Sequence, residues 1–261
     1  MCQHSIGYQS YEMKIFFRKL HRWLGLLMAL QIVAWMASGF YFSIFPIAEI
    51  RGEHLTRAAE VPALDEFARA PSPASVKQSL DQHFDGDWEL SRATLVQMDE
   101  KVFWRIEGSF GNVPFNRLVG ADGGGVKSRL GAEEAKRQAF GWLSVPAKDA
   151  VVEWLESEPE DLEFRGRQLP VWKVSFSEPE SLNLYLDPWT GEILARRTDR
   201  WRLFDFLWML HIMDFDTRDD FNHPLLQVAA LLGLIVALSG FVFWSLTTRL
   251  FRRSRNPRMS A

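Results

Sequence analysis

Cysteine is nearly absent from this sequence: the chain has one, Cys2, and residues 49–223 have none. Disulfides therefore cannot cross-link the central part of the chain, and an iron–sulfur cluster with cysteine ligands is excluded there. The sequence also lacks Gly-x-Ser-x-Gly, His-Glu-x-x-His, a phosphate-binding loop and a dinucleotide-binding glycine turn. These absences argue against the common hydrolases, and they leave any redox activity without a flavin or nicotinamide site of its own.

Charge is absent from two long apolar runs, residues 23–48 and 224–248. Each run exceeds the ~18 residues that a helix needs to cross a hydrocarbon core. We therefore predict two transmembrane helices, at residues 14–48 and 223–248. Trp23 and Tyr41 lie near the two ends of the first run, where amphipathic rings prefer the boundary between water and lipid.

Positive and negative charges are unequally distributed along the chain: acids are scarce outside residues 49–223, and acids outnumber bases inside them. Outside residues 49–223 there are nine Lys/Arg and one acid, a net charge of +8, whereas inside there are 21 Lys/Arg and 32 Asp/Glu, a net charge of −11. Basic residues next to spans stay in the cytoplasm. The pattern predicts a two-pass protein of the inner membrane with both termini cytoplasmic, a basic cytoplasmic tail at residues 249–261 and a periplasmic central domain. It argues against a nucleic-acid partner.

The segments that flank the spans are predicted to be irregular. Residues 1–13 are expected to form a disordered leader, and both Met1 and Met13 remain open as the start. The first span is too long for the apolar region of a cleavable signal peptide. Residues 49–74 contain three prolines and are predicted to form a connector.

The central domain contains the same succession of elements twice. Residues 75–130 are predicted to form a short helix and three strands, and residues 131–197 a helix followed by strands. The expected elements are helices at 75–84 and 132–143, strands at 90–98, 101–107, 115–119, 170–177, 181–187 and 192–196, and strand pieces at 151–156 and 163–164. The acidic run 153–163 is expected to be a solvated face. The fold class is thus an α+β domain held between two transmembrane α-helices.

Three segments carry a resemblance to a known family. The segment PVWKVSFSEPESLNLYLDPWTGEILAR, with Asp187, Thr190, Gly191 and Glu192 at its turn, resembles a PepSY domain. The first repeat matches less well, because VGADGGGV lacks the Thr-Gly-Glu. The segments FRKLHRWLGL, LWMLHIMDF and LSGFVFW resemble the PepSY-associated transmembrane (PepSY-TM) family. The resemblance implies one clear and one degenerate PepSY-like repeat of a helix and antiparallel strands.

The resemblance also implies a redox function. Larger members of the family, with four or more spans, include ferric-siderophore reductases that bind b-type haem through membrane histidines, and two-span relatives include a ferric reductase. For this chain it implies haem b electron transfer and reduction of ferric iron or a ferric chelate on the periplasmic side, that is, a ferric reductase. The candidate ligands are His21, His211 and His223.

Distance limits how these histidines can combine. A helix from His21 to Phe45 spans about 36 Å, so His21 cannot share an iron with His211 or His223. His211 and His223 could share one, and His21 could pair with His21 of a second copy. We therefore expect a homodimer or a larger membrane complex, with an electron donor that the sequence does not identify.

Residues 198–222 are predicted to form an interfacial amphipathic helix and a loop. The loop is rich in carboxylates, which with imidazole suit iron and other first-row metals. The metal candidates are Asp214, Asp216, Asp219 and Asp220, and the alternative is a solvated acidic loop.

Structural roles for the histidines also remain open. His21 could simply lie among basic headgroup-binding residues, His211 could be an interfacial residue, and His223 could start a helix. Small residues fall on one face of the second span, namely Ala230, Gly233, Ala237 and Gly240. They could serve helix packing, or they could make room for a porphyrin or a second protomer. The alternative function is a membrane-anchored PepSY module that binds or inhibits an envelope peptidase or another partner, without a cofactor.

Overall fold

The computed structural model describes residues 3–58, 70–98, 101–122 and 125–248. The chain divides into two compact units. Met1–Phe45 and Leu203–Ala261 form one, called the helical unit below, and Pro46–Arg202 forms the other, the central unit. The basic tail predicted at 249–261 lies outside the described residues, and so does part of the connector, residues 59–69.

The described residues form α-helices and two antiparallel sheets. The helices are α1 (Gln3–Ile44), α2 (Ile47–Ile50), α3 (Pro73–His83), α4 (Ala132–Trp142), α5 (Asp199–Ile212) and α6 (Pro224–Thr247), with a 3-10 helix at Glu53–Leu55. The strands are β1 (Glu89–Met98), β2 (Lys101–Phe110), β3 (Val113–Gly120), β4 (Val151–Leu155), β5 (Val171–Ser175), β6 (Asn183–Leu186) and β7 (Ile193–Arg197). One sheet has the order β1-β2-β3 and the other β4-β5-β6-β7. The predicted α+β fold class is confirmed, while the identity of the repeats as PepSY domains stays a prediction.

Two helices of the helical unit are long and apolar enough to cross a membrane. Their candidate spans are Ile15–Ile44, of 30 residues, and Pro224–Thr247, of 24 residues. At 1.5 Å per residue they measure about 45 and about 36 Å, so both exceed a hydrocarbon core of about 30 Å. Leu30, Met36 and Phe40 on α1 and Leu231 and Phe241 on α6 are exposed, as expected for side chains that face lipid.

Helix α1 begins earlier than predicted. Its first residue is Gln3, so residues 3–13 are helical instead of a disordered leader. These residues contain no proline, and each can add one hydrogen bond to a helix that is already formed, which avoids the cost of nucleation. The helix ends at Ile44, just before Pro46, because the residue that precedes a proline is disfavoured in the helical region.

The interface between α1 and α6 combines apolar side chains with glycines that lie next to large rings. Met28, Ala229 and Val236 are its buried residues. Gly233 and Gly240 of α6 face the rings of Trp35 and His21 of α1, as expected for small residues at a helix interface. By contrast, the alanines predicted on the same face, at positions 230 and 237, are exposed.

In the first half of the central unit, α3 packs with β1, β2 and β3. Ser72 caps α3 by accepting the N–H of Ser75, and Pro73 follows at the first helical position, where its missing N–H costs nothing. Inward side chains alternate along β2, as the period of two requires. The buried cluster contains Val76, Leu80, Trp88, Leu95, Trp104, Ile106, Phe115 and Val119.

The second half packs α4 with the four-stranded sheet. Ala135 and Ala139 of α4 lie against β5 and β6, and all four residues of β6 are buried. The predicted strand piece at 163–164 is wrong, because these residues lie in a turn. The solvated-face prediction is also wrong at Glu163, which is 5% exposed, because its carboxylate accepts hydrogen bonds from Asn183, Tyr185 and Arg202.

The Asp-x-x-Thr-Gly-Glu segment joins β6 to β7 through a tight turn. The carboxylate of Asp187 accepts the N–H groups of Trp189 and Thr190, and the Thr190 hydroxyl accepts the N–H of Glu192. Gly191 has φ +72°, in the left-handed region that a glycine adopts at little cost. A Cβ there would lie 3.0 Å from Gln138 Cγ, so both conformation and space favour glycine.

Candidate functional site

His21 projects from α1 onto α6. Its Nδ1 lies 3.0 Å from the carbonyl oxygen of Val236 and 3.2 Å from Oγ of Ser239. A carbonyl oxygen only accepts hydrogen bonds, so in this arrangement Nδ1 carries the proton. Nε2 then keeps the lone pair with which a neutral imidazole binds a metal ion. Contact of the other ring nitrogen with a backbone carbonyl is the usual way in which proteins orient a metal-ligating histidine.

His211 is oriented by a hydroxyl instead of a carbonyl. Its Nδ1 lies 2.6 Å from Oγ of Ser38, a buried residue of α1. The same hydroxyl lies 2.7 Å from the carbonyl oxygen of Ala34. Because the hydroxyl has a single proton and donates it to Ala34, we infer that Nδ1–H of His211 donates to Ser38. Nε2 of His211 then also keeps its lone pair.

Aromatic side chains surround the His211 ring. The Trp208 ring is nearly parallel to it, with centroids 6.3 Å apart, and the Phe42 centroid lies 5.7 Å away. Burial lowers the pKa of His211 below its usual value. The neutral form is therefore favoured, and it is the form that binds a metal ion.

Side chains from neighbouring segments cap the C-terminal end of α5. The last carbonyls of a helix have no partner within it. Here Leu210 O accepts from Gln31, His211 O accepts from Trp35 at 2.7 Å, and Ile212 O pairs with His223. This end of α5 is thereby fixed, and the backbone of His211 with it.

The imidazole rings of His21 and His211 lie at different heights along α1. Ser38, which contacts His211, lies 17 residues after His21 on the same helix, a distance of about 25 Å along the axis. One iron therefore cannot bind both rings. This agrees with the argument made from the sequence.

Both ring nitrogens of His223 are used inside the protein. Nε2 lies 2.9 Å from the carbonyl oxygen of Ile212, and Nδ1 accepts the N–H of Leu226 at 3.4 Å. His223 is the N-cap of α6 and joins it to the end of α5. Among the three candidate ligands it is thus the one whose nitrogens are both engaged.

The acidic loop after α5 is organised around Asp214. Its carboxylate accepts the hydroxyl of Thr217 and the N–H groups of residues 216, 217, 219 and 220. The hydrogen bond from the Thr217 hydroxyl and those from the backbone hold the pKa of Asp214 well below its usual range. Within the described residues, no three His, Cys, Asp or Glu side chains converge in a group that could hold a metal ion. The metal site at Asp214, Asp216, Asp219 and Asp220 stays a prediction without support from this geometry.

An ion pair between a buried carboxylate and a partly buried arginine, which the sequence analysis did not identify, holds this loop on α5. Asp205 is 4% exposed, and its carboxylate accepts a hydrogen bond from Arg218. The carbonyl of Arg218 in turn accepts the indole N–H of Trp208. One signal was available, because Asp205 is a lone acid inside the apolar segment FDFLWML and Arg218 is the only base of the loop.

Gly240 provides the space for the His21 ring. A Cβ at position 240 would lie 2.8 Å from His21 Cε1 and 3.1 Å from Nδ1, so the ring would have to leave the Val236 carbonyl. We expect Gly240→Ala to lower the free energy of unfolding of the helical unit by about 1–3 kcal/mol. Thermal unfolding of the detergent-solubilised chain measures this.

Gly39→Ala is the matched control for Gly240→Ala. Gly39 also lies within a membrane helix, but nothing lies within 4 Å of the position of its Cβ. Since alanine is a better helix former than glycine by about 1 kcal/mol, the control should be neutral or stabilising. If both variants were equally stabilised, the close contact between Gly240 and His21 would be contradicted.

The chain was compared with known protein families, curated proteins and solved structures. The family model described as PepSY-associated TM region matches residues 18–260 of the chain. No curated protein matches, and no solved structure matches.

Proposed function

Since this chain belongs to the PepSY-associated TM region family, we propose that it is a membrane electron-transfer protein that uses b-type haem. Its substrate is ferric iron or a ferric chelate. The proposal depends on one observation above all. His21 and His211 each have Nδ1 fixed by an acceptor on another helix, which leaves Nε2 for a metal ion.

The side chains present fit this cofactor in their donor chemistry. Neutral imidazoles are common axial ligands of haem iron. A b-type haem held by such ligands supplies one-electron transfer. His21 and His211 are the residues that would hold it, and His223 ranks third because both of its nitrogens are already engaged.

The remaining residues of the site orient the ligands and keep water away from them. Val236 and Ser38 fix the two imidazole rings, and the rings of Phe42 and Trp208 cover His211. Reduction of one ferric ion consumes one electron. A membrane quinol or a partner protein supplies it, because the sequence contains no flavin or nicotinamide motif.

A homodimer would complete the ligand set. The two oriented imidazoles of one copy are about 25 Å apart along α1, so one copy does not bring both to the same iron. In the proposed dimer, His21 of both copies would hold the haem, and the two copies together would supply four spans. A strictly monomeric protein that kept haem bound by His21 would rule this arrangement out.

The proposed location is the inner membrane. Lys14, Arg18, Lys19 and Arg22 lie at the N-terminal edge of the first span, and five arginines follow the second. By the positive-inside rule this supports cytoplasmic termini and a periplasmic central unit.

The test is an optical spectrum of the detergent-purified full chain from cells supplied with a haem precursor. We expect a Soret band and, after dithionite reduction, sharp α and β bands. His21→Ala and His211→Ala should each lower the haem content of folded protein, since each removes a ligand. His83→Ala is the control, because His83 is exposed at the end of α3.

A flat visible spectrum from folded, haem-supplied protein would contradict electron transfer through haem. The binding module without a cofactor would then be favoured, and crosslinking of the central unit would be the way to find its partner. Equal loss of haem in His83→Ala and His21→Ala would contradict the ligand assignment.

A further inference from the structure

The central unit contains a cleft of about 410 Å³ between β3, the turn after β6 and the loop that precedes β5. Its size falls within the range of small-molecule sites, about 300–1,000 Å³. Aromatic and basic side chains line it, among them Phe110, Phe115, Arg117, Phe164, Arg167 and Trp189. Gln168 donates to the carbonyl of Pro114 across it, so the cleft is bounded by a fixed loop.

The charge of the cleft is opposite to that of the surrounding protein. Arg117 and Arg167 are basic, and Asp187 is the one acid among its lining residues. The Oδ1 atom of Asp187 already accepts two backbone N–H groups. Residues 49–223 carry an excess of acids, 32 against 21 bases. A basic cleft in such a domain is not a consequence of overall composition.

Arg117 is fixed in position before any ligand arrives. Its guanidinium carbon lies 3.9 Å from the centroid of the Trp189 ring, and Nη1 donates to the carbonyl of Asn116. A guanidinium has five N–H donors. Within the described residues, the hydrogen bond of the Arg117 guanidinium is the one to Asn116. A stacked guanidinium loses less side-chain entropy on binding an anion than a free one.

We propose that this cleft binds a small organic anion that carries a carboxylate and a flat apolar group. Arg117 and Arg167 pair with the carboxylate, because the guanidinium fork matches its two oxygens. Phe110 and the exposed part of Trp189 contact the apolar group. The proposal concerns the central unit alone and does not depend on haem.

Isothermal titration calorimetry on the detergent-solubilised full chain tests it, with benzoate and phthalate as probes and benzamide as their neutral analogue. We expect the carboxylates to bind at least tenfold more tightly than benzamide. Arg117→Gln and Arg167→Gln should each weaken carboxylate binding about tenfold or more, since each removes a charged hydrogen-bond donor. Arg167 is exposed, so its variant should fold normally.

Arg92→Gln is the matched control, because Arg92 is an exposed arginine on β1 outside the cleft. It should leave the Kd unchanged. Equal binding of benzamide, or unchanged binding in both cleft variants, would overturn the proposal. So would the absence of carboxylate binding at concentrations up to about 10 mM, or tighter binding of an acidic peptide than of either probe.

Discussion

Replacing Glu163 by alanine should lower the free energy of unfolding of the central unit by about 3–5 kcal/mol. The carboxylate is buried and accepts hydrogen bonds from Asn183, Tyr185 and Arg202. Its removal leaves the buried Asn183 amide and Tyr185 hydroxyl without an acceptor. Amide exchange of Asn183–Leu186 measures the effect, and we expect protection to fall about 10²–10⁴-fold.

Glu160→Ala is the control, since Glu160 belongs to the same acidic run but is exposed. It should change stability by less than about 0.5 kcal/mol. If the two variants lost equal protection, the buried position of Glu163 would be contradicted.

The Glu163 network also predicts how the stability of the central unit depends on pH. Burial acts to raise the pKa of Glu163, but the hydrogen bonds from Arg202, Asn183 and Tyr185 outweigh it and lower the pKa below its usual value. The stabilisation is therefore fully present above the unfolded pKa of about 4.3 and is lost as the pH falls through the lower folded pKa. Glu163→Gln should remove this part of the acid sensitivity in the same exchange experiment.

Asp205→Ala should destabilise the helical unit by about 3–5 kcal/mol, because it leaves the partly buried Arg218 guanidinium without its carboxylate. The thermal midpoint of the detergent-solubilised chain should fall on the order of 10 °C. Trypsin offers a local measurement, since Arg218 is itself a cleavage site. The rate of cleavage after Arg218 follows the population of the open loop and should rise steeply.

Asp216→Ala is the control for Asp205→Ala. Asp216 is an exposed acid of the same loop, and its contact with Asp214 uses the backbone N–H, which alanine keeps. Its thermal midpoint and cleavage rate should equal those of the unchanged protein. Slow cleavage in Asp205→Ala would mean that the ion pair does not hold the loop.

Most elements of the fold could be predicted because their signals are local. Alternating apolar residues predicted β1 to within one residue and the first residue of β2, whereas the predicted β2 ended three residues too early and the predicted α3 began two residues too late. The prediction that was wrong for Glu163 failed because its environment depends on contacts with residues distant in the sequence. Glu163 lies in an acidic run that indicates solvent, and it is buried because strand β6 and Arg202 bring three donors to it.

The same contrast between local signals and contacts of distant residues applies to the candidate site. The histidines could be selected from their positions at the ends of apolar runs. Their hydrogen-bond partners could not, because Val236 is 215 residues from His21 and Ser38 is 173 residues from His211. The contact of His223 with the end of α5 likewise depends on the path of the loop between α5 and α6, which the sequence pattern does not show. Whether these histidines bind haem stays a prediction.

The orientations of the His21 and His211 rings should differ in their sensitivity to amino-acid substitutions at the residues that hold them. His21 is oriented by the main-chain oxygen of Val236, and every amino acid at that position supplies the same atom. His211 depends on a side-chain hydroxyl, so a single substitution of Ser38 would release its ring. Descendants of this sequence should therefore tolerate changes at position 236 that preserve packing, while position 38 should accept only residues that can still accept a hydrogen bond from His211.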